Sequence, residues 1–497
     1  MSTLLRVLLN IFLLAFFLAL SSSMSSCTGA LPTTEHQESK GFEQQNSDIV
    51  SETMDTIEQT NQEREAQEFP ATEQRDENTT SHDASTPEES IKPNEHIPRP
   101  ETKPIESSLP PEPTVSKEST EPTESTERTF EATPPENPNG FKRNPAFLGL
   151  KDNTAIDMGP YECKSRMLDP KQAARCYTIL DYSRFNYDPY NHRILLFGGG
   201  HAATSRTDID VLDLMGFKWK SLYPTMSCAD TSAKNLDARG FHTKSGHPVA
   251  RHTYDMTVVG KIRGEGKLLL LSTEGFAGTC HKYQATIASV AAYPLTGSGK
   301  KWSYGPQKKL PWYYAAAAEF DPVSGMVIVV GSNSKAGAGG MWVYDPIQSK
   351  VIAYHSKIKY KGYDNNLVYY PPTKEMFLIA RGAPNTIYRI TLDRKNWSQS
   401  KSTLLQPTGT PPSVGTSGWA YDQKSQIIGG GIAGGVFHTY NPKKNAWSGQ
   451  KIILQSKAAN PKVDKIVHHM LDYDPINNIF VFISSPGNRM WAYRYRR

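Results

Sequence analysis

The sequence predicts an all-β fold: a β-propeller of six or, alternatively, seven four-stranded blades, preceded by a disordered stalk. Three observations lead to this prediction. A unit of about fifty residues recurs along the C-terminal two-thirds of the chain. Each unit contains short apolar strands separated by Gly and Asp-Pro turns, the pattern of propeller blades. Before the first unit lies a long polar segment with almost no large apolar side chains, which is typical of disorder.

The N-terminus carries an export signal. Arg6 precedes an apolar run from Val7 to Leu20, and small residues follow it. This arrangement is typical of a secretory signal, and the run is too short to favour a permanent membrane span. Met24-Ser-Ser-Cys27 resembles a bacterial lipobox with Met in place of the usual Leu, which implies a lipid on Cys27. We expect a signal peptide over residues 1–26 and an extracellular or cell-envelope lipoprotein; plain secretion and a membrane anchor are the alternatives.

Residues 27–140 form the predicted stalk. They are mostly Glu, Ser, Thr, Pro and Gln and cannot bury enough apolar surface to offset the entropy of ordering. The stalk has 8 Lys and Arg against 26 Asp and Glu, whereas residues 141–497 have 46 against 24. A domain this basic should attract an acidic polysaccharide or another polyanion, unless it rests against its own acidic stalk. We expect a monomer, and no nucleic-acid partner for an exported protein.

The repeat itself defines the predicted domain, residues 141–497. In the clearest unit, Glu319-Phe-Asp-Pro322 leads into the apolar run Met326–Val330, and the strands Met341–Asp345 and Lys350–Tyr354 follow. Inner strands of a blade are buried on both faces, which accounts for apolar runs without strict alternation. The last unit lacks an outer strand, which Asn153–Asp157 can supply by pairing the two chain ends. A seventh blade would have to come from residues 141–182.

The cysteines other than Cys27 are Cys163, Cys176, Cys228 and Cys280. An even number in an exported domain, without any Cys-x-x-Cys neighbours, favours two disulfides over a metal site. Pairing Cys163 with Cys176 and Cys228 with Cys280 is the most local of the three possible connectivities. Free buried thiols are the alternative in a reducing compartment.

Glycine-rich segments after apolar strands suggest a family resemblance. Phe197-Gly-Gly-Gly200, Ile428-Gly-Gly-Gly431 and the Trp residues that open the fourth strands resemble kelch repeats and the galactose-oxidase central domain. The resemblance covers residues from about 150 to 497 and implies kelch-like blades; it says little about activity, because one fold supports many functions.

The loops after second strands and before first strands of a propeller open on one face, so their polar side chains should converge there. The candidate residues share this position in the repeat; they are His201, His281, Asn333, Lys335 and Arg381 after second strands, and Arg251, His252, Tyr314 and Tyr363 before first strands. The longest insertion, Thr225 to Ala250, also belongs to this face.

This layout resembles the propeller-type polysaccharide lyases of the ulvan-degrading kind. The resemblance implies β-elimination on a uronate-containing glycan, with His201 and His252 matching the active-site histidines and Tyr314 matching the tyrosine. Where that family has an arginine, this chain has Asn333, so Lys335 or Arg251 would supply the charge for the sugar carboxylate. We assign Arg251, Asn333, Lys335, Arg381, His281 and Tyr363 to substrate binding.

Two other function classes stay open. One is a non-catalytic module at the cell surface that binds a glycan or a protein through the same face. The other is a copper oxidase, suggested by the His468-His469 pair, although no cysteine is spare if both disulfides form. A zinc site at His201, His252 and His281 lacks the short ligand spacing of such sites. We therefore assign no metal or cofactor.

Overall fold

A computed structural model describes residues 139–198, 205–275, 280, 285–306, 308–313, 315–332, 339–356, 365–380, 386–413, 417–456 and 462–496. The signal peptide, Cys27 and residues 27–138 of the predicted stalk lie outside the described residues. Within those ranges, no helix combines the length and the apolar character needed to cross a membrane.

The described residues are almost entirely strands joined by turns. The strands, in chain order, are β1 (Thr154–Pro160), β2 (Asn186–Asp188), β3 (Arg193–Leu196), β4 (Asp210–Asp213), β5 (Lys218–Ser221), β6 (Thr257–Ile262), β7 (Glu265–Leu270), β8 (Glu274–Gly275), β9 (Ala285–Thr286), β10 (Ala291–Pro294), β11 (Ser303–Tyr304), β12 (Ala317–Asp321), β13 (Met326–Ser332), β14 (Gly339–Asp345), β15 (Lys350–His355), β16 (Asn366–Tyr370), β17 (Glu375–Ile379), β18 (Ile387–Thr391), β19 (Lys401–Leu405), β20 (Trp419–Asp422), β21 (Ile427–Ala433), β22 (Val436–Asn441), β23 (Ala446–Lys451), β24 (Ile453–Gln455), β25 (Lys465–Asp474), β26 (Ile479–Ser485) and β27 (Arg489–Arg494).

Four of the sheets are four-stranded and antiparallel. Their strand orders are β2-β3-β4-β5, β6-β7-β10-β11, β12-β13-β14-β15 and β16-β17-β18-β19, and β8 pairs with β9 in a small separate sheet. Each four-stranded sheet corresponds to one sequence unit. Consecutive strands pair with each other because short turns join antiparallel neighbours.

The remaining strands form one nine-stranded sheet. Its order is β23-β22-β21-β25-β26-β27-β1-β24, with β20 paired to β21. β21 and β25 are joined only through the residue pair Ala433 and Lys465. Within this sheet the fifth and sixth sequence units are therefore joined by this pair and by β24, which follows the fifth unit and pairs with β1.

β1 brings the two ends of the propeller chain together. It runs antiparallel to β27, with Thr154 opposite Arg494 and Pro160 opposite Arg489, and parallel to β24 on its other side. Arg489 also donates to the Asp157 carboxylate at 2.6 Å. The predicted pairing of this segment with the last unit is confirmed.

The units are arranged as a β-propeller. The innermost strands contact one another in the order β2, β6, β12, β16, β20 and β25, and β25 contacts β2. Residues 141–182 are the alternative source of a seventh blade. They contain β1, two 3-10 turns and two short helices, which are α1 (Pro145–Leu148) and α2 (Pro170–Ala174). They do not form a four-stranded sheet of their own.

Buried aspartates shape the turn after several innermost strands. Asp188, Asp321, Asp422 and Asp474 end β2, β12, β20 and β25, and all four are buried. Each carboxylate accepts the backbone N–H two residues further on, for example Lys424 N at 2.8 Å from Asp422 Oδ1. This Asx turn is the physical reason for the recurrent Asp-Pro and Asp-x motif.

The core lies between neighbouring sheets. In β13, Val327 and Val329 pack towards the preceding sheet, while Ile328 and Val330 pack towards the following one. Both faces of the strand are buried, which confirms the reading of its apolar run. The two disulfides form as expected, Cys163 with Cys176 and Cys228 with Cys280.

Candidate functional site

The ring has two ends with different structures. The innermost strands begin at one end, which we call the loop face. At the other end short turns connect them to the second strands, and we call this end the turn face. The predicted site belongs to the loop face. Of its residues, Arg251 and His252 are described; His201, His281, Tyr314, Asn333, Lys335, Tyr363 and Arg381 lie outside the described residues.

Four aromatic rings meet at the loop face; we call them the ring cluster. The Tyr182 ring lies 4.6 Å from His252, nearly parallel to it at 20°, and 4.4 Å from His468. Tyr254 completes the group, 5.3 Å from Tyr182 and 5.8 Å from His252. His252 is fully buried, whereas Tyr182 and His468 are partly exposed. The cluster is therefore open to solvent through Tyr182 and His468.

The backbone of the ring cluster is held in an uncommon conformation. Tyr182, Tyr254 and His468 have φ of 53°, 43° and 44°, the left-handed region that non-glycine residues rarely adopt. The Tyr182 carbonyl accepts the N–H groups of Thr253 and Tyr254 at 2.9 and 2.7 Å, which fixes two neighbouring units against each other. Conformations that cost about 1–3 kcal/mol each tend to cluster at functional sites.

Arg251 adds a buried positive charge beside His252. Its guanidinium donates to the carbonyls of Val249 and Ser272 at 3.1 and 3.2 Å and lies 5.9 Å from the centre of the Phe241 ring. The side chain is fully buried, and Nη2 has no hydrogen-bond partner among the described residues. Burial lowers the pKa of Arg251 to about 9. A buried guanidinium without a carboxylate partner favours an anionic ligand.

The structure thus brings together a histidine and an arginine that the sequence predicted, and two tyrosines that it did not. Tyr182 precedes the first repeat unit, so the sequence pattern did not group it with Tyr314 and Tyr363. The available signal was its position shortly before the innermost strand β2, the same position in the repeat that selected those two tyrosines. His468 was noted only as part of the His468-His469 pair.

A second feature lies at the turn face and was not predicted. A central cavity of about 1810 Å³ is lined by the ends of the innermost strands and the turns that follow them. Besides aromatic side chains, its lining includes two acidic residues, Glu319 and Asp472, and five basic ones, Arg143, Arg184, Lys261, Lys424 and Arg494. Together with the buried Asp255, the residues Arg184, Glu319 and Asp472 form what we call the central charged cluster: Arg184 Nη1 lies 2.9 Å from Asp255, and Nη2 lies 3.6 Å from Glu319.

The carboxyl groups of this cluster have raised pKa values. Burial raises the pKa of Glu319 to about 7 and that of Asp472 to about 6, and Arg184 offsets only part of the effect. Burial also raises the pKa of Asp255, against Arg184 and His469. Three carboxyl groups thus share one guanidinium. No group of three or more His, Cys, Asp or Glu side chains among the described residues is arranged to hold a metal ion.

Comparison with known proteins finds only distant similarity to solved structures. No family model and no curated protein matches the chain. Similar solved structures include an auxiliary nutrient binding protein from Bacteroides thetaiotaomicron VPI-5482, 10% identical over 62% of this chain and 68% of that chain, with a TM-score of 0.36. Virginiamycin B lyase from Staphylococcus aureus is 9% identical over 63% and 94%, with a TM-score of 0.36. A fungal alcohol oxidase in complex with copper is 11% identical over 63% and 62%, with a TM-score of 0.34.

Proposed function

We propose that this protein is an exported β-propeller that binds an acidic polysaccharide at the loop face. The observation that carries this proposal is the unequal burial of charge. Eight aspartates are buried among the described residues but only three arginines. Residues 141–497 contain 46 Lys and Arg against 24 Asp and Glu. Because more aspartates than arginines are buried, the excess of positive charge at the surface is larger than this composition alone indicates. An excess of surface cations attracts polyanions from a distance.

The ring cluster and Arg251 supply short-range chemistry for such a ligand. Tyr182 and His468 offer partly exposed rings on which the C–H face of a sugar can stack. Arg251 places a buried positive charge beside His252, which attracts a uronate carboxylate electrostatically. Lys335, Asn333, Arg381, His281 and Tyr363 belong to this proposal as predicted contacts.

β-Elimination at the same face is the second candidate function. It is favoured by the contact between His252 and Tyr182, because an imidazole and a phenol are suited to serve as base and acid when a C5 proton leaves. In this version Tyr182 would take the role that the resemblance to ulvan-degrading lyases gives to Tyr314. His201 would remain the second histidine.

One experiment separates the two functions. The mature full-length protein is titrated with alginate, polygalacturonate and a neutral polymer, and the absorbance of unsaturated product is followed in parallel. Binding to the acidic polymers without product supports the binding function. Product that disappears in His252→Gln supports the lyase. Tyr182→Ala should weaken binding by about tenfold, the loss of one stacking contact of roughly 1.4 kcal/mol.

A matched control keeps this test specific. Tyr354→Ala removes an exposed tyrosine, 47% accessible, from the outer strand β15, and it should leave binding unchanged. Equal affinity of the unmodified protein for the neutral polymer and for both uronates would overturn the proposal.

We further infer that the ring has six kelch-like blades and that the protein is a lipoprotein anchored through Cys27. The blade count is supported by the six innermost strands, each of which contacts the next. The lipid anchor is supported by the sequence ahead of Cys27 alone.

A further inference from the structure

We propose that residues 118–138, which we call the acidic segment, dock across the mouth of the central cavity at the turn face through ion pairs with Arg143, Lys261 and Lys424. The acidic segment lies immediately ahead of Asn139, the first described residue. This interaction lies at the opposite end of the ring from the polysaccharide site proposed above and does not depend on it.

The chain enters the propeller at the mouth of this cavity. Asn139 is one of the residues that line the cavity, and its side-chain amide donates to the carbonyls of Pro189 and Tyr190 at 3.4 Å. Asn144 fixes the chain a few residues later, because its backbone N–H donates to Asn477 Oδ1 at 2.7 Å. The acidic segment therefore ends at the mouth, and its last residues need no long loop to reach it.

The lining of the cavity has more positive than negative charge. Five basic residues line it, against two acidic ones. Arg184 interacts with both acids, and Arg494 donates to the carbonyls of Leu150 and Asn477, each at 2.8 Å. The aspartates that end the innermost strands are buried, and two of them have arginine partners of their own at 2.8 Å. The positive charge that remains belongs to the other three basic residues of the lining.

These three residues are Arg143, Lys261 and Lys424, and all of them are exposed. No ion pair joins any of their side chains to another residue in the described ranges. Lys261 lies in β6, which is next to β2 in the ring, and Lys424 lies in the turn after β20, two strands from β2 in the other direction. The two lysines therefore lie on either side of the point at which the chain enters.

The acidic segment has the complementary charge at a regular spacing. It contains six glutamates and one arginine, and Glu118, Glu121, Glu124 and Glu127 recur at every third position. The prolines of this sequence favour the polyproline II conformation, in which side chains three residues apart lie on the same side of the chain. A row of carboxylates on one side suits cations spread along the edge of a cavity.

The tether between the acidic segment and the mouth is short. At about 3.1 Å per residue, Glu136 lies within about 9 Å of Asn139 along the chain and Glu131 within about 25 Å. The entropy of closing a longer loop grows only slowly with its length, so the earlier glutamates can reach the mouth as well. Covalent attachment makes the carboxylates locally concentrated there, so ion pairs that are individually weak at a surface can act together.

One apolar contact can accompany the ion pairs. Leu148 lines the cavity and is 59% exposed. Phe130 is the one large apolar side chain of the acidic segment. Packing of Phe130 against Leu148 removes apolar surface of both from water and favours one register of the segment on the mouth.

Limited proteolysis of the mature full-length protein tests the docking. Trypsin cleaves after Arg128, inside the acidic segment, and after Arg75, further towards the N-terminus, which serves as the internal reference. Salt screens exposed ion pairs, so the rate of cleavage after Arg128 relative to Arg75 should be about tenfold lower at about 20 mM salt than at about 500 mM. A ratio of the two rates that does not change with salt would overturn the proposal.

Two double variants of equal charge locate the contact. Lys261→Gln with Lys424→Gln should raise the relative cleavage rate after Arg128 at low salt by about fivefold, towards its value at high salt. Lys350→Gln with Lys401→Gln removes two exposed lysines from the outer strands β15 and β19 and should leave the rate unchanged. If both double variants are cleaved alike at low salt, the turn face does not hold the acidic segment.

Zero-length cross-linking with a carbodiimide gives a direct readout, because it joins a carboxylate only to an amine in contact with it. Cross-links from Glu131 or Glu136 to Lys261 or Lys424 are expected at low salt, and cross-links confined to lysines of the outer strands contradict the docking. Arg251→Gln, at the loop face, should change neither the cross-links nor the cleavage ratio. This proposal and the polysaccharide proposal therefore fail separately.

Discussion

At the scale of single residues, the central charged cluster places several buried carboxyl groups close together inside the ring, where their ionised forms are unfavourable. Glu319 and Asp472 are held near Arg184, and burial raises the pKa of both. Asp255 is the better satisfied member, because Asn366 Nδ2 and Leu367 N donate to it at 2.8 and 2.7 Å in addition to Arg184. Burial raises the pKa of all three carboxyl groups, so each of them destabilises the fold when it ionises.

This predicts how stability depends on pH at Glu319. The pKa of its carboxyl group is about 7 in the folded protein, against 4.5 for the free side chain, so the folded state binds more protons between these values. Stability must then fall as the pH rises through this window. Glu319→Gln should remove that loss and be more stable than the unmodified protein by about 1–3 kcal/mol at about pH 8, but not at about pH 4.

Urea unfolding at the two pH values measures the difference. Glu265→Gln is the matched control, because that carboxylate is 53% exposed and should change little at either pH. An equal effect of Glu319→Gln at both pH values would contradict the prediction.

At the scale of elements, the closing strand β1 has an unusual position. It is paired on one side with β27 and on the other with β24, so its backbone groups are used on both edges. A strand with two partners leaves no exposed edge of its own. The ion pair of Asp157 with Arg489 adds a side-chain link between the first and last strands of the ring.

Asp157→Asn should therefore weaken ring closure. Asp157 is 5% exposed, and Arg489, Ser456 and the Gly159 N–H lower the pKa of its carboxyl group against the effect of burial. Because the folded pKa is lowered, its contribution is present above about pH 4 and is lost as the pH falls further. Loss of a largely buried pair should cost about 1–3 kcal/mol at neutral pH. Thermal unfolding followed by circular dichroism measures it.

A control and a contrary result are available for this prediction. Lys244→Met breaks the exposed pair with Asp230, in which the lysine is 68% accessible, and should leave the midpoint of thermal unfolding almost unchanged. If Asp157→Asn changes stability no more than Lys244→Met does, the closure through β1 does not depend on this pair.

At the scale of the whole molecule, the ring is held together by polar contacts as well as by its apolar interfaces. The Asp255 carboxylate contacts Arg184, which precedes β2, and it also accepts hydrogen bonds from Asn366 and Leu367 of β16. One carboxylate thus connects three units across the channel. His469 in β25 contacts the same Asn366 at 3.1 Å. These polar contacts therefore tie units together around the channel, in addition to the apolar packing between neighbouring sheets.

Localisation of the whole protein is predicted from Cys27. In the producing cell, the protein should partition with membranes and enter the detergent phase on phase separation, and Cys27→Ala should move it to the aqueous phase. A single acyl chain gives only marginal membrane binding, so more than one chain is expected at a stable anchor. Ser25→Ala serves as the control, and equal partitioning of Cys27→Ala and Ser25→Ala would contradict the anchor.

The sequence by itself determined the repeat, because turn residues and apolar runs specify strands locally. It left three disulfide connectivities open and offered the pairing of the chain ends as one possibility; the structure decided both, because each joins residues far apart in the chain. Only the tertiary structure decided which side chains converge. Tyr182 and His252 are seventy residues apart and meet because neighbouring units pack side by side. The cavity at the turn face arises from the spacing of six strands around an axis, and no local pattern encodes that distance.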